Sequence, residues 1–133
     1  MPDKVFIDSN ICLYILDKSN PKFSVAKRLL QNQPKISTQI VAENVNVCLK
    51  KFKLSKASTL LHAKSLMEAC AVHAITHQVL NKSLVIMERY GYSIFDSLVI
   101  ASALDADCVI LYTEDMQHQQ QIEHKLTIIN PFR

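Results

Sequence analysis

The chain has 133 residues, of which 49% are apolar and 20% are charged, a balance typical of a globular protein rather than a disordered one. Its length predicts a single domain spanning residues 1–133, with a core that needs no metal or disulfide to hold it together. Glycine occurs once, at Gly91, although average usage of about 7% would give roughly nine. This excludes the glycine-rich phosphate loops and the G-x-S-x-G nucleophile elbow, which need several glycines close together.

The net charge of +3 is too small to indicate a class of partner. No apolar run approaches the roughly 18 residues of a membrane span, and acids stand among the first eight residues, where a secretory signal would be apolar. We therefore expect no membrane association and a cytoplasmic location. The cysteines lie far apart in apolar stretches, which predicts buried, reduced thiols rather than a zinc or redox site. They are Cys12, Cys48, Cys70 and Cys108.

Apolar spacing and helix-capping residues predict strands that alternate with helices. In the first half of the chain the predicted elements are a strand at 4–7, a helix at 11–16, a helix at 21–32 with Pro21 in its first position, a strand at 35–37 and a long helix containing 41–52. In the second half they are a helix at 55–70, a strand at 71–75, a helix from Thr76 to Gly91, a helix opened by the capping box at 93–96, and strands at 108–112 and 126–129. This alternation predicts an α/β fold around a parallel sheet of about four to five short strands flanked by helices.

Four acidic residues occupy positions that such a fold brings to one edge of the sheet. Asp8 follows the first strand, and Asp115 lies three residues beyond Tyr112, at the end of a later one. Asp96 begins a helix, and Glu43 lies in the first turns of another. Parallel strands place their carboxyl ends on one edge, where the following helices also begin. We therefore expect the four side chains to face a single cleft.

A cluster of this kind needs a cation, because like charges in one site raise each other's pKa. Oxygen ligands without His or Cys favour Mg²⁺, or Mn²⁺ in its place, over zinc. Each acid also has a structural explanation. Asp8 and Asp96 are suited to helix capping, and Asp115 lies with Glu114 near a helix start. Glu43 suits an exposed helix face, so the spacing alone leaves a metal site and a set of structural acids both open.

Five lysines and no acid lie between Asn44 and Met67. They are Lys50, Lys51, Lys53, Lys56 and Lys64. This pattern is typical either of a solvated helix face or of a strip that attracts nucleic-acid phosphates beside an acidic centre. His118 follows the Asp115 turn, where it either contacts a phosphate or lies at the surface as an ordinary histidine. His73 and His77 are four residues apart in a strand-like stretch without a third ligand, so no zinc site is predicted there.

Taken together, these motifs resemble those of the PIN-domain ribonucleases, and among them the VapC-type toxins of type II toxin–antitoxin systems. The likeness runs from end to end, and four acidic motifs in the family's order are hard to obtain by chance. The matching segments are VFIDSN at 5–10, ISTQIVAE at 36–43, YSIFDSLVIASA at 92–103, LYTEDMQH at 111–118 and IINPF at 128–132.

The resemblance implies a three-layer PIN-like fold and a Mg²⁺-dependent endoribonuclease that hydrolyses RNA phosphodiester bonds and leaves a 5′-phosphate. It implies that the four acids bind the metal and carry catalysis: Asp8, Glu43, Asp96 and Asp115. Residues beside them would support the cleft: Ser9, Asn10, Thr113 and, more weakly, Glu114. If the protein acts on RNA, the basic residues already described are the weaker candidates for contacting it: Lys50, Lys51, Lys53 and His118. The family also implies a homodimer and a cognate antitoxin protein whose tail reaches the acidic cleft.

One departure from the family and three rival functions stay open. The fourth motif commonly continues with glycine after its histidine, whereas Gln119 stands here, which leaves the shape of that loop open. A haloacid-dehalogenase-type phosphatase also has an aspartate after its first strand, but it uses a second acid two residues on, where this chain has Asn10. The second rival is a non-catalytic PIN-like module that binds RNA or a partner. The third is a structural protein in which every acid is a helix cap.

Overall fold

A computed structural model of the chain describes residues 4–133. Within that range it contains six strands and six α-helices. In chain order they are β1 (Val5–Ile7), α1 (Ser9–Leu13) with a 3-10 turn at Tyr14–Leu16, α2 (Phe23–Gln31), β2 (Lys35–Ser37), α3 (Thr38–Lys50), α4 (Lys56–Ala69), β3 (Ala71–His73), α5 (His77–Tyr90), α6 (Ile94–Asp105), β4 (Ile110–Tyr112), β5 (Gln121–Ile122) and β6 (Leu126–Ile129). The predicted α/β class with a mostly parallel sheet is confirmed.

The six strands form one sheet in the order β3-β2-β1-β4-β6-β5. All neighbouring pairs are parallel except β5 and β6, which are antiparallel. Phe6 of β1 pairs with Leu111 of β4, and both side chains are fully buried. Strands covered on both faces carry continuous apolar runs, which is why the short segments were visible in the sequence. The central position of β1 places its carboxyl end, and hence Asp8, in the middle of the sheet edge.

Local signals set several helix ends as predicted. Thr76 and Ser93 cap α5 and α6 by accepting hydrogen bonds from the N–H groups of Val79 and Asp96. Gly91 ends α5 with a φ of +77°, in the left-handed region where glycine has no steric penalty. The four cysteines are buried, as expected. None of the helices in residues 4–133 is long and apolar enough to span a membrane.

The start of α2 corrects one prediction. The helix begins at Phe23, so Pro21 does not occupy its first position. Pro21 lies instead in a turn that is closed by Asn20. The Asn20 side chain accepts from the N–H of Lys22 at 2.9 Å, and the Asn20 carbonyl accepts from the N–H of Phe23 at 3.0 Å. Smaller differences of one to two residues occur at other ends: α1 begins at Ser9, and the strands predicted at 71–75 and 108–112 are shorter.

The second correction is the strand β5, which the sequence pattern did not predict. It forms a tight hairpin with β6. The turn is built with positive φ angles at Glu123 and His124, of 55° and 58°, and Gln119 at the entrance has a φ of 69°. These positions favour glycine, and their occupation by Gln, Glu and His hid the hairpin. Gln119 thus adopts the left-handed bend that glycine makes easy, and its N–H donates to Ile128 O at 2.7 Å.

Candidate active site

A cleft of about 260 Å³ opens at the carboxyl edge of the sheet and brings together the four acids singled out in the sequence. Asp8 comes from the end of β1, Glu43 from α3, Asp96 from α6 and Asp115 from the loop after β4. The remaining lining residues are Ser9, Asn10, Gln39, Asn46, Val47, Phe95 and Val99. The expectation that four acids from distant parts of the chain share one cleft therefore matches the geometry.

Asp8 lies at the base of the cleft and is only 7% exposed. One carboxylate oxygen accepts from the N–H of Ser9 at 2.7 Å, so Asp8 also caps α1. The other oxygen accepts from the Thr113 hydroxyl at 2.8 Å. Burial raises the pKa of Asp8 to about 6, against the lowering effect of these two hydrogen bonds and with further raising by Asp115 and Glu43. The capping and site interpretations of this residue are therefore compatible.

Two polar side chains hold Asp115 beside Asp8. The Thr113 hydroxyl, fully buried, donates to Asp8 and accepts from the N–H of Asp115 at 3.1 Å. The Asn10 amide donates to Asp115 Oδ2 at 2.7 Å. Burial raises the pKa of Asp115, the Glu114 carboxylate raises it further, and the Lys22 ammonium lowers it. Ser9, Asn10 and Thr113 thus each form a hydrogen bond to one of the two aspartates, and their supporting role stays a prediction.

Gln39 links Glu43 to the first turn of α6, which carries Asp96. Its Nε2 lies 3.4 Å from Glu43 Oε2 and 3.3 Å from the carbonyl oxygen of Phe95, next to Asp96. Burial raises the pKa of Glu43, and the charge of Asp96 adds to it. Burial likewise raises the pKa of Asp96, with a further contribution from Asp115. Gln39 was not singled out in the sequence, although its position one helical turn before Glu43 places it on the same face of α3.

The negative charge of the four acids is not balanced by basic residues in the lining of the cleft. All four carboxyl groups have raised pKa values, and each feels the charge of another acid. The lining residues include no lysine, arginine, histidine or cysteine within the part of the chain that the structure describes. A donor set made only of oxygen fits Mg²⁺ or Mn²⁺.

No three His, Cys, Asp or Glu side chains of residues 4–133 already converge as a ready-made metal cage. Mg²⁺ does not require one, because it keeps several waters and binds through one or two carboxylates plus substrate phosphates.

Two of the predicted site residues point elsewhere. Glu114 does not line the cleft. Its carboxylate accepts from the Tyr14 hydroxyl and pairs with Lys22 at 2.5 Å, which anchors the loop after β4 to the start of α2. His118 uses Nδ1 to accept from the N–H of Asn130 at 2.9 Å, a structural bond that joins its loop to the end of β6.

None of the lysines predicted to bind RNA lines the acidic cleft. Lys50, Lys51 and Lys53 are exposed at the end of α3 and in the turn that follows. Lys51 borders a second groove, of about 730 Å³, that shares Asn10 and Val47 with the acidic cleft. Lys51 is therefore the one of these three lysines that lines a groove adjoining the acids.

The sequence profile of the PIN domain matches residues 5–124, which is most of the chain and includes all four acids. The chain belongs to the PIN-domain family. Comparison with curated proteins gave no match.

Solved structures agree with the PIN fold. A toxin–antitoxin complex from Klebsiella pneumoniae is similar with a TM-score of 0.70 at 19% identity, over 96% of this chain and 97% of the other. VapC20 from Mycobacterium tuberculosis, described as a toxin that cleaves the sarcin–ricin loop, has a TM-score of 0.67 at 18% identity, over 84% and 91%. FitAcB from Neisseria gonorrhoeae has a TM-score of 0.68 at 16% identity, over 96% and 98%. At these identities the likeness concerns the fold.

Proposed function

We propose that this PIN-domain protein is a metal-dependent endoribonuclease and the toxin of a toxin–antitoxin pair. The observation that carries the proposal is the cleft itself, which is lined by Asp8, Glu43, Asp96 and Asp115 from four parts of the chain, with raised pKa values and no basic residue in the lining. If the four acids served only as helix caps, we would not expect all of them to line one cleft without basic residues beside them.

In the proposed mechanism carboxylates of this set would hold Mg²⁺, or Mn²⁺ in its place, together with waters. A bound divalent ion supplies the positive charge that stabilises the oxygens of a phosphodiester during hydrolysis. The chain's own polar groups aim the ligands. Thr113 holds one oxygen of Asp8, and Asn10 holds one oxygen of Asp115. Gln39 orients Glu43, so three of the four acids are held by hydrogen bonds before any ion or RNA binds.

The proposed substrate is RNA. The exposed Lys50, Lys51 and Lys53 would bind its phosphates, and Lys51 borders the groove next to the cleft. The Nδ1 atom of His118 already accepts from the backbone N–H of Asn130 and is not free for RNA. A contact between His118 and RNA stays a prediction.

We further propose that the protein acts in the cytoplasm, forms a homodimer and is inhibited by a cognate antitoxin. Support for an antitoxin comes from similar structures described as toxin–antitoxin complexes, including the one from Klebsiella pneumoniae. A homodimer is an expectation from the family resemblance alone.

The test is cleavage of total RNA by the purified protein, with the new ends mapped by sequencing. We expect specific new ends bearing a 5′-phosphate in Mg²⁺ or Mn²⁺ and none in EDTA. An undiminished cleavage pattern in EDTA would contradict metal dependence. RNA that binds but stays intact with every divalent ion would favour the non-catalytic module. A phosphoenzyme trapped on Asp8 would instead favour the phosphatase, although the side chain at position 10 is an amide that already donates to Asp115.

A further inference from the structure

Behind the cleft, a buried amide joins three helices. Asn44 of α3 is fully buried. Its Nδ2 donates to the Ser9 hydroxyl oxygen of α1 at 3.0 Å and to the carbonyl oxygen of Ile40, one turn earlier in its own helix, at 3.0 Å. The same nitrogen lies 3.4 Å from the Ser9 carbonyl oxygen. The amide group is therefore fixed both to its own helix and to the first residue of α1.

The third helix enters through His62 of α4, which is buried and lies with Nε2 2.8 Å from Asn44 Oδ1. Because Asn44 Nδ2 faces carbonyl oxygens, its Oδ1 must be the atom that faces the ring. Oδ1 can only accept, so His62 donates through an Nε2–H group. Burial lowers the pKa of His62, which favours the neutral ring in this single tautomer.

The residues that Asn44 connects are next in sequence to two of the cleft acids. Ser9 directly follows Asp8, and Asn44 directly follows Glu43. Asp8 and Glu43 already influence each other electrostatically. Bonds from Asn44 to Ser9 thus tie together the backbone segments that carry two of the four acids, while His62 holds the amide at the correct rotation. A well-packed apolar pair would hold the same helices together, but it would not fix this direction.

We propose that His62 and Asn44 form a positioning pair that sets the separation of Asp8 and Glu43 and so the affinity of the cleft for a divalent cation. This inference rests on the proposed function, because it needs the two acids to share an ion. His62 is a positioning residue: it does not line the cleft and acts only through Asn44.

The test compares His62→Leu, which removes the donor, with His62→Gln, whose amide nitrogen can take the place of Nε2. The measured quantity is the dissociation constant for Mn²⁺, from the signal of free Mn²⁺ in electron paramagnetic resonance, together with the melting temperature of the metal-free protein. We expect His62→Leu to weaken Mn²⁺ binding about 10-fold or more, the range seen for the partners of metal ligands. We expect His62→Gln to stay within about threefold of the natural protein.

Two outcomes overturn the inference. One is a His62→Leu protein with a lower melting temperature and unchanged Mn²⁺ affinity, which makes the pair purely structural. The other is equal weakening in His62→Leu and His62→Gln, which shows that the hydrogen bond is not responsible. If His62→Leu does not fold, His62→Met fills a similar volume with a flexible chain and replaces it. Failure of the proposed metal site is recognised separately, by unchanged Mn²⁺ affinity in Asp8→Asn and Glu43→Gln.

Discussion

Acidic side chains line two cavities on opposite edges of the sheet, and the two differ in how those charges are balanced. At the amino ends of β1 and β4 a larger cavity, of about 850 Å³, has three acids and three lysines in its lining. They are Asp105, Asp107, Glu123, Lys4, Lys82 and Lys125. Glu123 pairs with Lys82 at 2.5 Å and with Arg89 at 2.6 Å, and these hydrogen-bonded cations lower its pKa. The smaller cleft raises the pKa of every acid it contains.

The contrast teaches that the cavity with the unbalanced acids is not the larger of the two. A balanced set of charges needs nothing further, whereas four carboxylates without a cation in the lining must either keep protons, as their raised pKa values indicate, or bind a cation. The comparison becomes testable by making the same change at both edges.

The largest expected effect comes from Asp96→Asn set against Asp105→Asn. Both aspartates lie on α6, the first in its first turn at the acidic cleft and the second at its last residue, beside the balanced cavity. We expect Asp96→Asn to slow RNA cleavage on the order of 1000-fold, since a metal ligand contributes several kcal/mol to the transition state. Asp105→Asn should cleave at the natural rate. The measurement is initial cleavage rate in saturating Mg²⁺, with circular dichroism as the check on folding. Equal rates for the two variants would remove the distinction between the edges.

Helix α6 also shows which features of the site can be predicted from the sequence. The cap at Ser93 and the placement of Asp96 follow from residues three positions apart, so the local pattern predicts them. The meeting of Asp8 with Asp115 follows from a general property of parallel strands, and Thr113 and Asn10 then fix it. These features depend on short-range rules or on topology.

What the sequence did not predict depends on partners far along the chain. Glu114 turns away from the cleft because Lys22, 92 residues earlier, pairs with it. The link between Asn44 and His62 gives no signal either, since a single histidine on a helix has no pattern. The hairpin β5–β6 escaped because side chains other than glycine hold its left-handed turn positions.

The second prediction concerns how the free energy of unfolding depends on pH, and it tests whether Asp8 in the acidic cleft differs from the acids of the balanced cavity. The pKa of Asp8 is raised from its ordinary value of 3.8 to about 6, so between about pH 4 and pH 6 the folded protein binds a proton that the unfolded chain has lost. The free energy of unfolding must therefore fall as pH rises through this window, by up to about 3 kcal/mol from this group. In EDTA, we expect Asp8→Asn to lose the part of this pH dependence that comes from Asp8. Because the variant has no buried charge at this position, it should be more stable than the natural protein above pH 7.

The matched control for the pH experiment is Asp105→Asn, which should keep the slope of the natural protein. The measurement is urea unfolding of the three proteins at intervals between pH 4 and pH 8. A natural protein that instead gains stability from pH 4 to pH 6, in parallel with Asp8→Asn, would mean that Asp8 is not desolvated in the folded state. The uncompensated charge on which the comparison depends would then be absent.

The smallest effect is expected at the balanced edge, from Glu123→Gln. This change removes the charge that Lys82 and Arg89 share, but both basic side chains are substantially exposed, at 40% and 59%. Exposed pairs of this kind contribute about 0–1 kcal/mol, so the free energy of unfolding at pH 7 should fall by no more than about 1 kcal/mol, and RNA cleavage should not change. Because the pKa of Glu123 is lowered in the folded state, the loss should shrink as the pH falls through that pKa. A cleavage defect approaching that of Asp96→Asn would place a functional site at the larger cavity, and balanced charge could then no longer be read as a sign of a purely structural edge.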